Sequence, residues 1–262
     1  MTFSLTRRAG FALALTFLTS SMLPAQADVL DDVKAAGVLK VGIFEDFPPF
    51  ASLNTSMKIE GYDTEVAEKL AAALGVTVEL VGITGQNRIP FLTEGKVDLL
   101  LSIGYSDERA QVVDYTDAYA PYYIAVMGPK ELDVTDAAGL SGKSVGVNRG
   151  TLEDTEVTKV APADADIQRY SDYSGVISAF LSGQVQLMVV GNDVGATIFA
   201  QNPAIEPVEK FLLLSSPSQM AVKKGEAALQ KAVNDALIAM KASGELNDLA
   251  VKWLKQPLVA GF

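Results

Sequence analysis

Short apolar runs take turns with stretches of helical spacing along most of this 262-residue chain, and that alternation restricts it to α/β layers. Val38 to Phe44 reads as a strand. Asp63 to Leu74 places Val66, Ala67, Leu70, Ala71 and Leu74 on one helical face and stops at Gly75. In Val76 to Ile83, Val76, Val78 and Leu80 alternate with Thr77 and Glu79, giving a second strand, and a short helix follows around Arg88 to Thr93. After Met127-Gly128-Pro129 the pattern restarts. Strands at Ser144 to Asn148, Ile167 to Tyr170 and Gln186 to Val190 alternate with helices from Thr151, over Val176 to Leu181, and from about Asp193 to Ala200. Phe211 to Leu214 leads to a last strand at Met220 to Val222. Two helices, Glu226 to Ala242 and Glu245 to Leu254, end the chain. The pattern gives two α/β units.

The first 27 residues stand outside that pattern. Arg7 and Arg8 form a basic front, Ala9 to Leu23 is mostly apolar, and Ala25-Gln26-Ala27 is a small-residue cleavage signal, so residues 1–27 read as a secretory signal peptide. Their removal takes two of the 21 basic residues and none of the 32 acidic ones, leaving a net charge of −13 over 235 residues. Such a chain is poorly suited to phosphate backbones or anionic lipid, which argues against nucleic-acid binding. There is no cysteine and no histidine. Thiolate chemistry, disulfides and a lipid anchor on cysteine are therefore excluded, and the commonest metal ligand and general base are missing. The length after the leader is long for one core and comfortable for two.

Within the first unit, the segment from Gly95 to Tyr119 carries the most chemistry. Val97, Leu99, Leu100 and Leu101 form a buried-strand run that stops at Ser102. A polar turn then leads into a short predicted helix with Ser106 as N-cap. Arg109 falls in its first turn, where a cation opposes the helix dipole and calls for an anionic partner. An ordinary surface arginine paired with Asp107 or Glu108 would look the same locally. A guanidinium fork beside free backbone N–H groups and small residues also makes a carboxylate receptor.

Several ordered elements are similar to those of the polar amino-acid family of periplasmic solute-binding proteins, the receptors of ABC importers. They run Val41-Gly42, Phe47-Pro48-Pro49-Phe50, Gly61-Tyr62-Asp63, Asn87-Arg88-Ile89-Pro90 and Gly95-Lys96-Val97-Asp98. Asp107-Glu108-Arg109, Asp114-Tyr115-Thr116-Asp117, Gly146-Val147, Gly150-Thr151 and Gly244 with Lys252-Trp253 follow. The resemblance implies a two-lobe, type II periplasmic-binding-protein-like α/β fold with two crossing hinge strands and a ligand cleft between the lobes. Lobe 1 would comprise 28–122 plus 221–262, and lobe 2 would comprise 123–220.

The same resemblance implies a site. Arg109 would hold a carboxylate, with Ser102 and Gly104 near the ligand's main-chain groups; Gly104 stands where the family commonly has a hydroxyl. Thr151, after Gly150, would bring N–H groups of the second lobe to the same carboxylate, and Thr151 with Asp154 has capping-box spacing. Asn148 is expected to reach the ligand side chain and Phe47 to form an apolar wall. The family's amine-binding aspartate falls on Gly191 here, leaving Asn192 or Asp193 as replacements, although Asp193 would serve equally as a helix cap. The expected function is a periplasmic, non-enzymatic, monomeric receptor that delivers a small carboxylate-bearing solute, an amino acid or a derivative, to an inner-membrane ABC permease without cofactor or metal. The alternative is an enzyme on the same scaffold, similar to cyclohexadienyl dehydratase, with Glu45 or Asp46 as its carboxylate. A ligand sensor for a membrane-bound signalling partner would be a third use of such a scaffold.

Overall fold

The computed structural model describes residues 28–258, so the expected leader lies outside the described residues. The chain opens with α1 (Val29–Ala36) and β1 (Val38–Ile43), then a small antiparallel ribbon of β2 (Asp46–Phe47), β3 (Ala51–Leu53) and β4 (Ile59–Glu60). Next come α2 (Tyr62–Leu74), β5 (Thr77–Gly82), α3 (Arg88–Thr93), β6 (Leu99–Ile103) and β7 (Val113–Tyr115). The second unit holds β8 (Tyr123–Gly128), β9 (Ser144–Asn148), α4 (Leu152–Val160), β10 (Asp166–Tyr170), α5 (Tyr173–Leu181), β11 (Leu187–Gly191), α6 (Asn192–Phe199) and β12 (Val208–Ser215). The chain then returns through β13 (Gln219–Lys223) to α7 (Ala227–Ser243) and α8 (Glu245–Trp253).

Two five-stranded sheets form, in the orders β5-β1-β6-β13-β7 and β10-β9-β11-β8-β12. Strand β13 inserts antiparallel between β6 and β7, and β8 pairs antiparallel with β11. The first crossing between the sheets runs from Tyr115 to Tyr123 and the second from Ser215 to Gln219. They touch through the antiparallel bridge Ala120–Ser218.

Burial explains why these strands hold together. In lobe 1, Leu39, Val41, Leu99, Leu100 and Leu101 are all 1% exposed or less. Each such side chain stabilises by roughly 1.5–3 kcal/mol when removed from water. α2 covers this sheet with Val66, Ala67, Leu70 and Ala71 and ends at Gly75, whose φ of 77° needs no Cβ. In lobe 2, Leu187 and Val189 pack into one cluster with Val157, while Met188 and Val190 join Val176 and Phe180 in another. Strand β11 is thus buried on both faces, and its unbroken apolar run follows from that.

Two local expectations change. The helix after Ser106 is a single 3₁₀ turn, Arg109–Gln111, because the chain must be extended again at Val113 to enter β7. Ser106 still serves it, its Oγ accepting from the Arg109 N–H at 3.2 Å. The Thr151–Asp154 capping box is displaced by one residue. Thr151 Oγ1 donates to the Asn148 carbonyl at 2.7 Å, and Asp154 accepts from the N–H of Gly150, at 3.1 Å, rather than from that of Thr151.

Candidate functional site

The lobes meet in an aromatic seam. Phe47 stacks on Tyr173 of lobe 2 with ring centroids 4.5 Å apart, and Phe50 lies behind it, fully buried. Nearby, Asp46 accepts the N–H of Ser174 at 2.7 Å, tying the ribbon of lobe 1 to the first turn of α5. Burial raises the pKa of Asp46, against the opposing effect of that hydrogen bond. Gly85 of lobe 1 lies so close to lobe 2 that a Cβ there would stand 2.3 Å from the Arg149 carbonyl oxygen.

Within the seam is a small enclosed cavity of about 20 Å³, room for about one water. A larger solute requires the lobes to part. Phe47, Ser102 and Gly104, all picked out from sequence, line this cavity from lobe 1 together with Arg88. Lobe 2 contributes Leu152 and Glu153 from the start of α4, and Tyr173 from α5; Tyr122 contributes from the crossing. Gly104 is small for a reason. A Cβ there would meet Leu152 Cδ2 at 2.7 Å and Ser216 Oγ at 2.9 Å.

Ser102, next to last in β6, has φ 48°, a left-handed conformation that costs a non-glycine residue about 1 kcal/mol or more. It is held by a buried network. Its Oγ donates to Asp63 Oδ2 at 2.6 Å, and the Tyr119 hydroxyl donates to Asp63 Oδ1 at 2.7 Å while accepting the Ser102 N–H at 2.9 Å. Burial pushes the Asp63 pKa up to about 6, and the two hydroxyl hydrogen bonds restrain the rise.

Arg88 opens α3 and is 3% exposed. Its Nη1 donates to the Ser102 carbonyl over a long 3.4 Å, its Nε has no partner, and its guanidinium lies 5.6 Å from the Phe44 ring centroid. Burial, and then the charge of Arg109, lower its pKa to about 10, so it remains a cation at neutral pH. Across the cavity, Glu153 is also 3% exposed. Its Oε1 accepts from the hydroxyls of Tyr122 at 2.8 Å and Tyr173 at 3.2 Å. Burial raises the pKa of both phenols, which keeps them protonated as donors.

Arg109 sits on the rim, in an open groove beside Gly85 and Gly150. Its fork spans the lobes, Nη1 donating to the Gly104 carbonyl at 2.9 Å and Nη2 to the Gly150 carbonyl at 3.3 Å. Thr151 is buried just behind this contact. Asn148 is fully buried, does not line the cavity, and neither atom of its amide has a partner. Asn192 and Asp193 lie elsewhere. Asn192 Oδ1 accepts the Tyr123 N–H at 3.1 Å, at the entry to β8. Asp193 Oδ1 accepts from Gln256 at 3.2 Å, its Oδ2 is unpaired, and burial raises its pKa to about 6. Gly191 is blocked, since a Cβ there would fall 2.1 Å from the Tyr122 ring. Among the described residues, no group of three or more histidine, cysteine, aspartate or glutamate residues is arranged to hold a metal ion.

Sequence reasoning did not select Arg88, Glu153, Tyr122 or Tyr173 for the site. Arg88 was visible only within Asn87-Arg88-Ile89-Pro90, and Glu153 only as an acid in a helix's first turn, a common arrangement at an exposed helix end.

Two α/β lobes joined by two crossings, with charged and aromatic groups of both lobes lining the cleft, define the class: a type II two-lobed solute receptor. Residues 39–256 match the bacterial extracellular solute-binding proteins, family 3, and the chain belongs to that family. It is 29% identical over 239 residues to the L-cystine-binding protein TcyJ of Escherichia coli, covering 87% of each chain. It is 29% identical to a solved mutant of ArgBP from T. maritima, covering 87% of this chain and 99% of that one at a TM-score of 0.79. The crystal structure of an ancestral amino acid-binding protein, AncCDT-1, a precursor of cyclohexadienyl dehydratase, aligns at a TM-score of 0.80 with 28% identity, over 86% of this chain and 99% of that one.

Proposed function

We propose that this protein is the periplasmic substrate-binding component of an amino-acid ABC importer, closing its lobes on a small carboxylate-bearing solute and presenting the closed form to a membrane permease. The observation that carries this reading is the Arg109 fork, which lies on the hinged seam and reaches both the end of β6 and the start of α4. A planar carboxylate entering there would take the fork in place of two carbonyls and meet the free N–H groups of the first turn of α4. Gly104 and Thr151 flank that place, while Phe47, Ser102 and Arg88 line the enclosed cavity on the other side of Gly104. Because the ligand contacts both lobes only when they close, its binding energy shifts the open–closed population. Of the two acids the dehydratase-like alternative would use, Glu45 and Asp46, neither lines the enclosed cavity and Asp46 is committed to the Ser174 N–H, which favours a receptor.

Titration calorimetry with the twenty L-amino acids and L-cystine, followed by mass analysis of the recovered compound, tests the proposal. Unaltered ligand is expected, and a converted product would establish the dehydratase-like alternative instead. Arg109→Ala and Arg109→Lys are each expected to weaken binding about 100-fold, on the order of 3 kcal/mol for a charge-assisted bidentate pair, with the melting temperature unchanged. Unchanged affinity in either variant refutes the assignment of Arg109.

A further inference from the structure

A zwitterionic ligand needs an anion as well as a cation in its pocket. Asp63, beside the cavity, has each carboxylate oxygen taken by a hydroxyl and stands behind Ser102. Asp46 is engaged by Ser174, and Asp193, although its Oδ2 is unpaired, does not line the cavity. No side chain fits at Gly191 while Tyr122 occupies its place. Glu153 differs from all of these. It lines the cavity, is almost fully buried, and both hydrogen bonds it receives fall on Oε1, so Oε2 accepts none.

A carboxylate buried in this way is costly unless it is paired. The nearest full positive charge in the same cavity is Arg88 on the opposite lobe, itself left with an unpaired Nε. The two tyrosine hydroxyls hold Glu153 through Oε1 at the cavity wall and leave Oε2 without a donor. The phenol rings with Phe47 close off water, which strengthens any charge pair formed there.

We infer that Glu153, aimed by Tyr122 and Tyr173, receives the ammonium group of the ligand, so that the anionic subsite of this protein lies on the first turn of α4 in lobe 2. This inference rests on the amino-acid receptor reading above and deepens it. It makes the ligand's ammonium a ligand of lobe 2, so that closure itself completes amine recognition. A cationic side chain gains nothing further, because Arg88 stands on the other side of the cavity.

The experiment compares, by calorimetry, each L-amino acid that binds the wild-type chain with the carboxylic acid that bears hydrogen in place of its α-ammonium. The wild-type protein is expected to prefer the amino acid by about 100-fold or more. Glu153→Gln is expected to cut that preference to about tenfold or less, through weaker amino-acid binding, while the desamino acid binds within about threefold of its wild-type affinity. An unchanged preference in folded Glu153→Gln overturns the inference and leaves the receptor reading intact. A wild-type protein that binds both compounds equally also overturns it, whatever the variants do. Tyr173→Phe keeps the carboxylate but removes one hydroxyl that aims it, and the preference is expected to fall about threefold. Should the glutamine variant fail to fold, an unchanged preference in Tyr173→Phe refutes the inference. If no amino acid in the panel binds wild type, the receptor reading fails first.

Discussion

Arg88 and Arg109 lie on the same lobe, and the charge of Arg109 helps to lower the pKa of Arg88, yet they occupy opposite environments. Arg109 sits at the rim with two backbone carbonyls on its fork, partly open to water. Arg88 lies at the floor, 3% exposed, with one long hydrogen bond and an unpaired Nε. A rim cation costs the fold little and is free to exchange partners. A floor cation is stored at a cost, and its depressed pKa of about 10 records that cost. The difference shows how a cleft divides its work: groups at the rim recognise and close, and groups at the floor hold unspent interaction energy for a ligand.

Replacing the floor cation should match the Arg109 variants in its effect on binding and differ from them in its effect on stability. Arg88→Met, similar in length and without charge, is expected to weaken ligand binding about 100-fold. In the free protein it should leave stability unchanged or raise it by up to about 3 kcal/mol, because a buried base with a lowered pKa is a destabilising charge. Chemical denaturation and calorimetry on one preparation would check both. Loss of stability together with binding would make Arg88 a structural cation and erase the contrast with Arg109.

The second test concerns the network beneath Arg88. The Asp63 pKa is raised from 3.8 to about 6, so the folded state binds this proton more tightly than the unfolded chain does. The sign follows: its contribution to stability is greatest below about pH 4 and is lost as pH rises through 6, amounting to about 3 kcal/mol. Asp63→Asn should remove that component, seen as a flatter difference in urea-unfolding free energy between pH 4 and pH 7 relative to wild type. Parallel profiles would mean that Asp63 is solvated in solution.

The smallest effect is expected where Gly85 meets lobe 2. Gly85→Ala would place a methyl 2.3 Å from the Arg149 carbonyl, a contact that exists only when the lobes are shut. Affinity should fall about tenfold with stability unchanged, and small-angle scattering should show incomplete compaction on adding ligand. Full compaction would place the closing contact elsewhere.

How legible these regions were in the sequence follows the same division. The alternation of strands and helices and the position of Arg109 just beyond a buried strand follow from short-range patterns, whereas Phe47 is singled out only by the family resemblance. Arg88 and Glu153 did not reveal themselves, because each occupies the first turn of a helix, where a charged residue is ordinarily solvated, and here each lines the cavity instead. Their burial is set by residues such as Tyr122 and Phe47 that are distant in the chain. Gly191 shows the same limit: its lack of a side chain makes sense only once the Tyr122 ring, 69 positions earlier, is in place. The ribbon β2–β4 leaves no such pattern, because its strands are two or three residues long, too short for periodicity to register.

The insertion of β13 between β6 and β7 also sets a timetable for the growing chain. Strands β8 to β12 are contiguous, so the second sheet has all its strands once residue 215 is present. The first sheet begins earlier yet has a gap between β6 and its edge strand β7 until residues 219–223 arrive and pair on both sides. The half that carries Arg88 and Arg109 is therefore begun first and finished last, through contacts more than one hundred residues apart that form slowly. A chain cut short before β13 would carry a complete lobe 2 beside an open, aggregation-prone pair of strand edges, and would have no working cleft.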